Sequence, residues 1–276
     1  MGKISLLFED LAKKHFTKAR IQKYRNWVEN ANEARDKGSL DERLNQYDKA
    51  EELLTFYAFA PLELREDRKE VIEEILKLAK VYESLEEPLS LSFEKQFQSP
   101  KGYLKWLTKE VVGHSVRYIR EEGKEHVRRG KMLEANTHVD AVFEAKNLLI
   151  LVEVKFTSDI SSQTTFNSNR NQLARTIDVG ISEVKRNMNK KLVVLLCSPS
   201  KFYHEKSRLY YYKIQEYSDF NRVKEDIVWR KLGDIEEHLL AVAWVPLERV
   251  IEIVYQDFDS PENKEAKRFF AERTLG

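Results

Sequence analysis

The sequence predicts an α/β protein with a central mixed β-sheet flanked by helices and an all-α region at its N-terminal end. Three observations predict it. Apolar residues over the first ninety positions recur at helical spacing. Between about 132 and 157 lie two strand-like runs separated by a tight turn. From about residue 95 the order is helix, strand, strand, helix, strand, then further helix and strand, which suits a layered α/β arrangement. The division expected is a helical region over 1–95 and an α/β domain over 96–276.

In the first region Ile21, Tyr24, Trp27 and Val28 share a helical face, as do Leu40, Leu44, Tyr47, Leu53 and Leu54. Lys37-Gly38-Ser39 marks a break, with Ser39 as an N-cap. Val71, Ile72, Ile75, Leu78, Ala79 and Tyr82 form an apolar stripe, and Pro88 ends the block. Ser99-Pro100 is a helix-start signal, predicting a helix to about Glu122 that stops near Gly123. Strands follow at about 132–144 and 148–157, then a polar loop from Ser158 to Ser168 and a helix from Asn169 to about Asn187 with Leu173, Ile177, Ile181 and Val184 on one stripe. Gly180 within that helix costs about 1 kcal/mol against alanine, so it implies close packing. Lys191 to Cys197 is almost wholly apolar and bounded by Ser198-Pro199, as in a strand buried on both faces. Leu209 to Ile214 reads as a further strand, Asp219 to Leu240 as a helix, 240–245 as the last strand, and Pro246 onward as helix.

The chain has 276 residues, 42% hydrophobic and 34% charged, which is a globular composition. No apolar run approaches the roughly 20 residues that span a bilayer, and the first residues lack a signal-peptide core, so a cytoplasmic protein with no membrane association is expected. One cysteine, Cys197, excludes an internal disulfide and a cysteine-based zinc cluster. The six histidines show no H-x-x-x-H pair, and neither a G-x-x-x-x-G-K-[ST] loop nor a G-x-S-x-G elbow occurs. Net charge is +1, so nucleic-acid binding would depend on a local basic patch.

The run His138 to Lys155 carries the chemistry. With Lys146-Asn147 as a two-residue hairpin loop, cross-strand partners sum to 293, setting Asp140 opposite Glu153 and His138 opposite Lys155. Strand residues alternate faces, so Asp140, Val142, Leu151, Glu153 and Lys155 share one face. The other carries Val139, Ala141, Phe143, Ile150, Val152 and Val154 and suits a core. Directly opposed like charges destabilise a sheet, and a bound divalent cation is the best reason for keeping them. Magnesium takes oxygen ligands and retains several waters, so one or two carboxylates suffice. Without the cation, repulsion should raise one carboxyl pKa. Lys155 would position or help deprotonate an attacking water and offset negative charge. The competing reading is a surface hairpin with a lysine–carboxylate network.

Asp140, twelve intervening residues, then Glu153-Val154-Lys155 resembles the signature of the PD-(D/E)XK nuclease superfamily. The order helix–hairpin–loop–helix–strand over about 100–200 resembles its restriction-endonuclease-like core, and Val139 stands where the family has proline. The resemblance implies a metal-dependent endonuclease or other phosphodiester hydrolase. Asp140, Glu153 and the backbone carbonyl of Val154 would hold Mg²⁺, with Mn²⁺ able to substitute, and Lys155 would assist. It also implies DNA as substrate in a restriction or defence setting, with RNA a second choice. Glu110 is the candidate for the acidic residue that family members place on the preceding helix, with Glu121 and Glu122 competing. Gln172 and Arg175 are candidates for the side chains some members direct at the scissile phosphate.

Arg128-Arg129-Gly130-Lys131 precedes the hairpin and is the first candidate nucleic-acid contact. Lys185-Arg186 with Lys190-Lys191 is a second basic cluster. A third combines Lys201, Lys206 and Arg208 with Tyr203, Tyr210, Tyr211 and Tyr212, where packing of the tyrosines on the sheet is the stronger reading. The loop from Ser158 to Ser168 is expected to close over substrate. The N-terminal helices could clamp DNA, bind a partner or build a homodimer. A non-catalytic nucleic-acid-binding or assembly module with the same fold is the alternative function.

Overall fold

A computed structural model describes residues 6–36, 50–186, 190–204, 208–257 and 260–274. Its centre is a five-stranded mixed sheet in the order β1 (Ser90–Phe97), β2 (Thr137–Glu144), β3 (Leu148–Val154), β4 (Lys191–Ser198), β5 (Leu239–Pro246). Strand β2 runs antiparallel to both of its neighbours, β1 and β3, and β3, β4 and β5 run parallel. Parallel neighbours need a crossover. For β3 to β4 it includes the helix Gln172–Val184, and for β4 to β5 three short helices at Leu209–Glu216, Phe220–Asp226 and Leu232–His238.

In chain order the helices are α1 (Glu9–His15), α2 (Lys18–Asp36), α3 (Glu51–Phe59), α4 (Arg68–Leu78), α5 (Lys101–Val112), α6 (Arg117–Arg128), α7 (Gln172–Val184), α8 (Leu209–Glu216), α9 (Phe220–Asp226), α10 (Leu232–His238), α11 (Leu247–Val254) and α12 (Pro261–Thr274). Both faces of the sheet are buried. On one, Ala141, Phe143, Ile150, Val152, Val193 and Leu195 meet α3, α4, α11 and α12. On the other, Val142, Leu149, Leu151, Val194 and Leu196 meet α7 and α8. Covering both faces explains the uninterrupted apolar run of β4. Helices from both ends of the chain share the first of these layers, and the boundary expected near residue 95 falls within β1.

Several expectations change. Residues 90–97 form an edge strand, although Lys95 and the short alternation around Phe93 and Phe97 hide it. The helix expected from Pro100 to Glu122 is two helices, and Gly123 lies inside α6 rather than ending it. A Cβ there would sit 1.8 Å from a methyl of Val111, so this glycine is where α5 and α6 cross closely. Leu209 to Ile214 is helical: Tyr210 and Ile214 are spaced four apart and face the core. The helix expected over 219–240 is α9 and α10 with a break between them. Gly180 does pack tightly, since a Cβ would lie 2.7 Å from the Leu192 methyls and 2.9 Å from Leu151. The break at Lys37-Gly38-Ser39, the face carrying Leu40, Leu44 and Tyr47, and Lys206 lie outside the described residues. No helix among the described residues is long and apolar enough to cross a membrane.

Candidate active site

The β2–β3 ladder pairs Ala141 with Val152, Val142 with Leu151 and Phe143 with Ile150, the register in which partners sum to 293. The turn is closed by the amide of Ala145 donating to the carbonyl of Leu148 at 2.9 Å. Beyond Ala141 the ladder opens, and the Asp140 side chain takes over: its Oδ2 accepts from the backbone N–H of Val154 at 2.7 Å. Asp140 thereby lies near enough to Glu153 for their charges to interact. Glu153 and Lys155 are both buried.

Burial pushes Asp140 up to about 6, against the lowering pull of Lys155 and of the Val154 N–H. Burial, then the charge of Asp140, pushes Glu153 up to about 8. Burial alone would lower Lys155, but the carboxylates of Glu153, Asp140 and Glu51 outweigh it and hold the ammonium protonated more firmly than usual. Near neutral pH the centre therefore holds one carboxylate, one carboxylic acid and one ammonium. Burial raises the thiol of Cys197 far above its usual value, which rules it out as a nucleophile.

Helix α7 completes the enclosure. Asn171 caps it, its side chain accepting from the Ala174 N–H at 3.0 Å, so Gln172 is its first residue. Gln172 Nε2 donates to Glu153 Oε2 at 2.8 Å, and Thr176 Oγ1, one turn on, donates to Oε1 at 2.8 Å. The Arg175 charge also lowers Glu153, and its Nε is buried with no hydrogen-bond partner among the described residues. A rigid support lies beneath: Arg170, almost wholly buried, joins Glu134 at 2.8 Å and Asp178 at 2.9 Å and lies over the Tyr103 ring at 3.6 Å. Arg230 closes the chain on Asp178.

The structure thus gathers Asp140, Glu153, Lys155, Gln172 and Arg175. It does not gather Glu110, which is exposed on α5 and makes no hydrogen bond or ion pair with the centre among the described residues. Glu121 is tied up with Arg120 and Lys124 on the solvent side of α6. Arg128 and Arg129 are exposed and both pair with Glu125, Lys131 is exposed, and His138 points to solvent. Of the tyrosines in the third basic cluster Tyr210 is buried and Tyr203 stacks on Trp244 at 4.0 Å, while Tyr212 is exposed. The loop after β3 is pinned, with Asp159 accepting from the first amides of α8 and Ile160 buried.

Three residues escape the sequence reading. Glu51, in the first turn of α3, accepts from Lys155 Nζ at 3.4 Å, the Phe156 N–H at 3.0 Å and Ser158 Oγ at 2.6 Å. It lies 104 residues from Lys155 in a glutamate-rich region, and no local signal marks it. Glu94 falls across from Asp140 in the β1–β2 register, with a left-handed φ of 51° between the regular pairs Phe93–Ala141 and Lys95–Val139. Burial, then the charge of Asp140, raises it to about 7, and Arg20 lies 3.5 Å away. Thr176 was legible, being four residues beyond Gln172 on the same helix face.

Two neighbouring carboxyl groups, one buried and one half-buried, with the charge of Asp140 raising Glu153, suit a divalent cation, which would displace a proton from them. No group of three His, Cys, Asp or Glu side chains gathers as a ready metal shell among the described residues. A cation here would keep several of its own waters, as magnesium does. Comparison with family models, curated proteins and solved structures finds no match to this chain.

Proposed function

We propose that this protein is a Mg²⁺-dependent nuclease with a restriction-endonuclease-like core of the PD-(D/E)XK type, cleaving phosphodiester bonds in DNA. The observation that carries the reading is the meeting of Asp140, Glu153 and Lys155 at one buried point, with Gln172 and Arg175 at its edge. Asp140 and Glu153 would hold the cation, with the Val154 carbonyl as the third protein ligand implied by the resemblance. When bound, the cation supplies Lewis acidity at the phosphate and makes water more acidic.

The chain's own groups have defined parts. Gln172 and Thr176 fix both Glu153 oxygens by donating to them, which sets the carboxylate plane before substrate arrives. Lys155 stays protonated, so it does not accept a proton from water; it orients the attacking oxygen by donating to it and offsets charge growing on the phosphate. Glu51 is a positioning residue that holds Lys155 and the start of the following loop. Arg175, with an unused buried N–H, is the cation available to a non-bridging phosphate oxygen.

The test is incubation of plasmid and linear DNA with Mg²⁺ or Mn²⁺. Cleavage should vanish in Glu153→Ala and Lys155→Ala while circular dichroism stays native. Unchanged cleavage in both variants refutes the assignment. A second reading, a non-catalytic binding module, draws on the full satisfaction of Glu153 by Gln172 and Thr176. It predicts DNA retardation with no nicking under any divalent ion.

A further inference from the structure

The hairpin of α5 and α6 is the basic element of a nearly neutral chain. Residues 101–131 contain nine Lys and Arg against four Glu, a net +5, while the rest has 38 basic against 42 acidic residues, a net −4. On and just after α6 most cations are engaged: Arg120 and Lys124 with Glu121, and Arg128 and Arg129 with Glu125. On α5 they are not. Lys101, Lys105 and Lys109 are exposed, and their side chains make no ion pair or hydrogen bond among the described residues. They stand one turn apart, opposite the buried stripe Tyr103, Leu107, Val111. At 1.5 Å rise per residue they make a straight row about 12 Å long. Like charges four apart destabilise a helix, so the row is a cost with no internal compensation.

This row is fixed to the rim of the candidate site. Tyr103 of α5 donates to Glu134, the partner of Arg170, which lies two residues before Gln172. Asn167, in the loop leading to α7, donates to the Tyr103 hydroxyl, and Phe166 of that loop packs edge-on against His126 of α6 at 5.2 Å. Resting on the nuclease reading above, we infer that α5 is the arm that grips the backbone of duplex DNA, with Lys101, Lys105 and Lys109 as phosphate contacts. Charge complementarity selects a polyanion. The row holds no interleaved aromatic ladder of the kind that stacks single-stranded bases, and this favours a duplex.

The experiment is fluorescence anisotropy of a short blunt duplex with the full chain in EDTA, so that no cleavage is needed, over a series of salt concentrations. The variant is Lys101→Ala/Lys105→Ala/Lys109→Ala; alanine at exposed helix positions preserves α5. The control is Lys77→Ala/Lys231→Ala/Lys267→Ala, three exposed cations elsewhere. Each lost phosphate contact should lower the slope of log K against log salt by about 0.9, so the variant should lose roughly 2 to 3 slope units and bind at least about tenfold more weakly, with the control unchanged. Equal losses in both triple variants, no loss in either, or no binding by the unaltered chain would overturn the inference. So would hairpin-dependent binding to vesicles of phosphatidylserine and phosphatidylcholine without binding to the duplex. A chain that binds through α5 but never cleaves sinks the nuclease reading alone. One that cleaves through Glu153 with no contribution from α5 sinks only this inference.

Discussion

Replacing Glu153 by glutamine should make the cation-free protein more stable at alkaline pH. In the folded chain Glu153 titrates at about 8 against an ordinary value of 4.5. Between those values the folded state keeps a proton that the unfolded state has released. Stability therefore falls as pH rises, by about 1.4 kcal/mol per unit, and levels off above 8. The full shift sets an upper limit of about 5 kcal/mol, and coupling to Asp140 will divide part of it between the two groups. The glutamine amide can donate to Thr176 while its oxygen accepts from Gln172, so the neighbours stay satisfied. Urea unfolding in EDTA at pH 5 to 9 measures the difference. The unaltered protein should lose roughly 2 kcal/mol relative to the variant between pH 6 and pH 8. Adding Mg²⁺ above pH 8 should stabilise the unaltered protein by about 2.7 kcal/mol at one hundred times its Kd and leave the variant unmoved. Parallel pH profiles for the two proteins would refute the interacting carboxyl pair, and with it the physical argument for a cation.

Arg170→Leu should cost about 3–5 kcal/mol in urea unfolding, because the buried Glu134 would lose its ion-pair partner and Asp178 would keep only Arg230 of its two. Gly123→Ala should cost about 1–3 kcal/mol by forcing α5 away from α6 at Val111, read as a lowered thermal midpoint. Glu51→Ala should cost about 1–3 kcal/mol and reduce kcat with little change in KM, since it releases Lys155 rather than substrate; a KM effect alone would contradict that role.

The β2–β3 hairpin was legible because its period, its two-residue turn and its charges agree on one register. The same holds for β4, a short apolar run closed by Ser198-Pro199, and for α7, whose stripe Leu173, Ile177, Ile181 places Gln172 beside the sheet. What escaped depends on contacts remote in sequence. Glu51 reaches Lys155 only because α3 folds onto the sheet face that also receives α11 and α12, a placement set by the shared core rather than by any local pattern. Glu94 needed β1 to be seen first, and its left-handed φ is a property of the folded strand. Glu110 misled because an acidic residue beside an apolar stripe reads the same whether its helix faces the carboxylates or solvent.

The electrostatics bear on which reading of the centre is stronger. A buried lysine–carboxylate network kept for stability alone would be expected to approach neutrality with each charge matched. Here the fold sets four acidic side chains, Asp140, Glu153, Glu51 and Glu94, among three cations, Lys155, Arg175 and Arg20. Apolar replacement of such buried ionic groups is often neutral or stabilising, so this acidic excess makes no case for stability. Yet Gln172 and Thr176 each spend a hydrogen bond on orienting Glu153, and both favour its ionised form. An arrangement that raises a carboxyl pKa by burial while aiming donors at the carboxylate is poised for positive charge arriving from outside. Among external cations, a divalent ion that keeps its waters best matches two carboxylates with a lysine beside them. The lysine row of α5 extends the same reasoning to the surface, where charge unmatched inside the chain would, on the proposed reading, be matched by the phosphates of a nucleic acid.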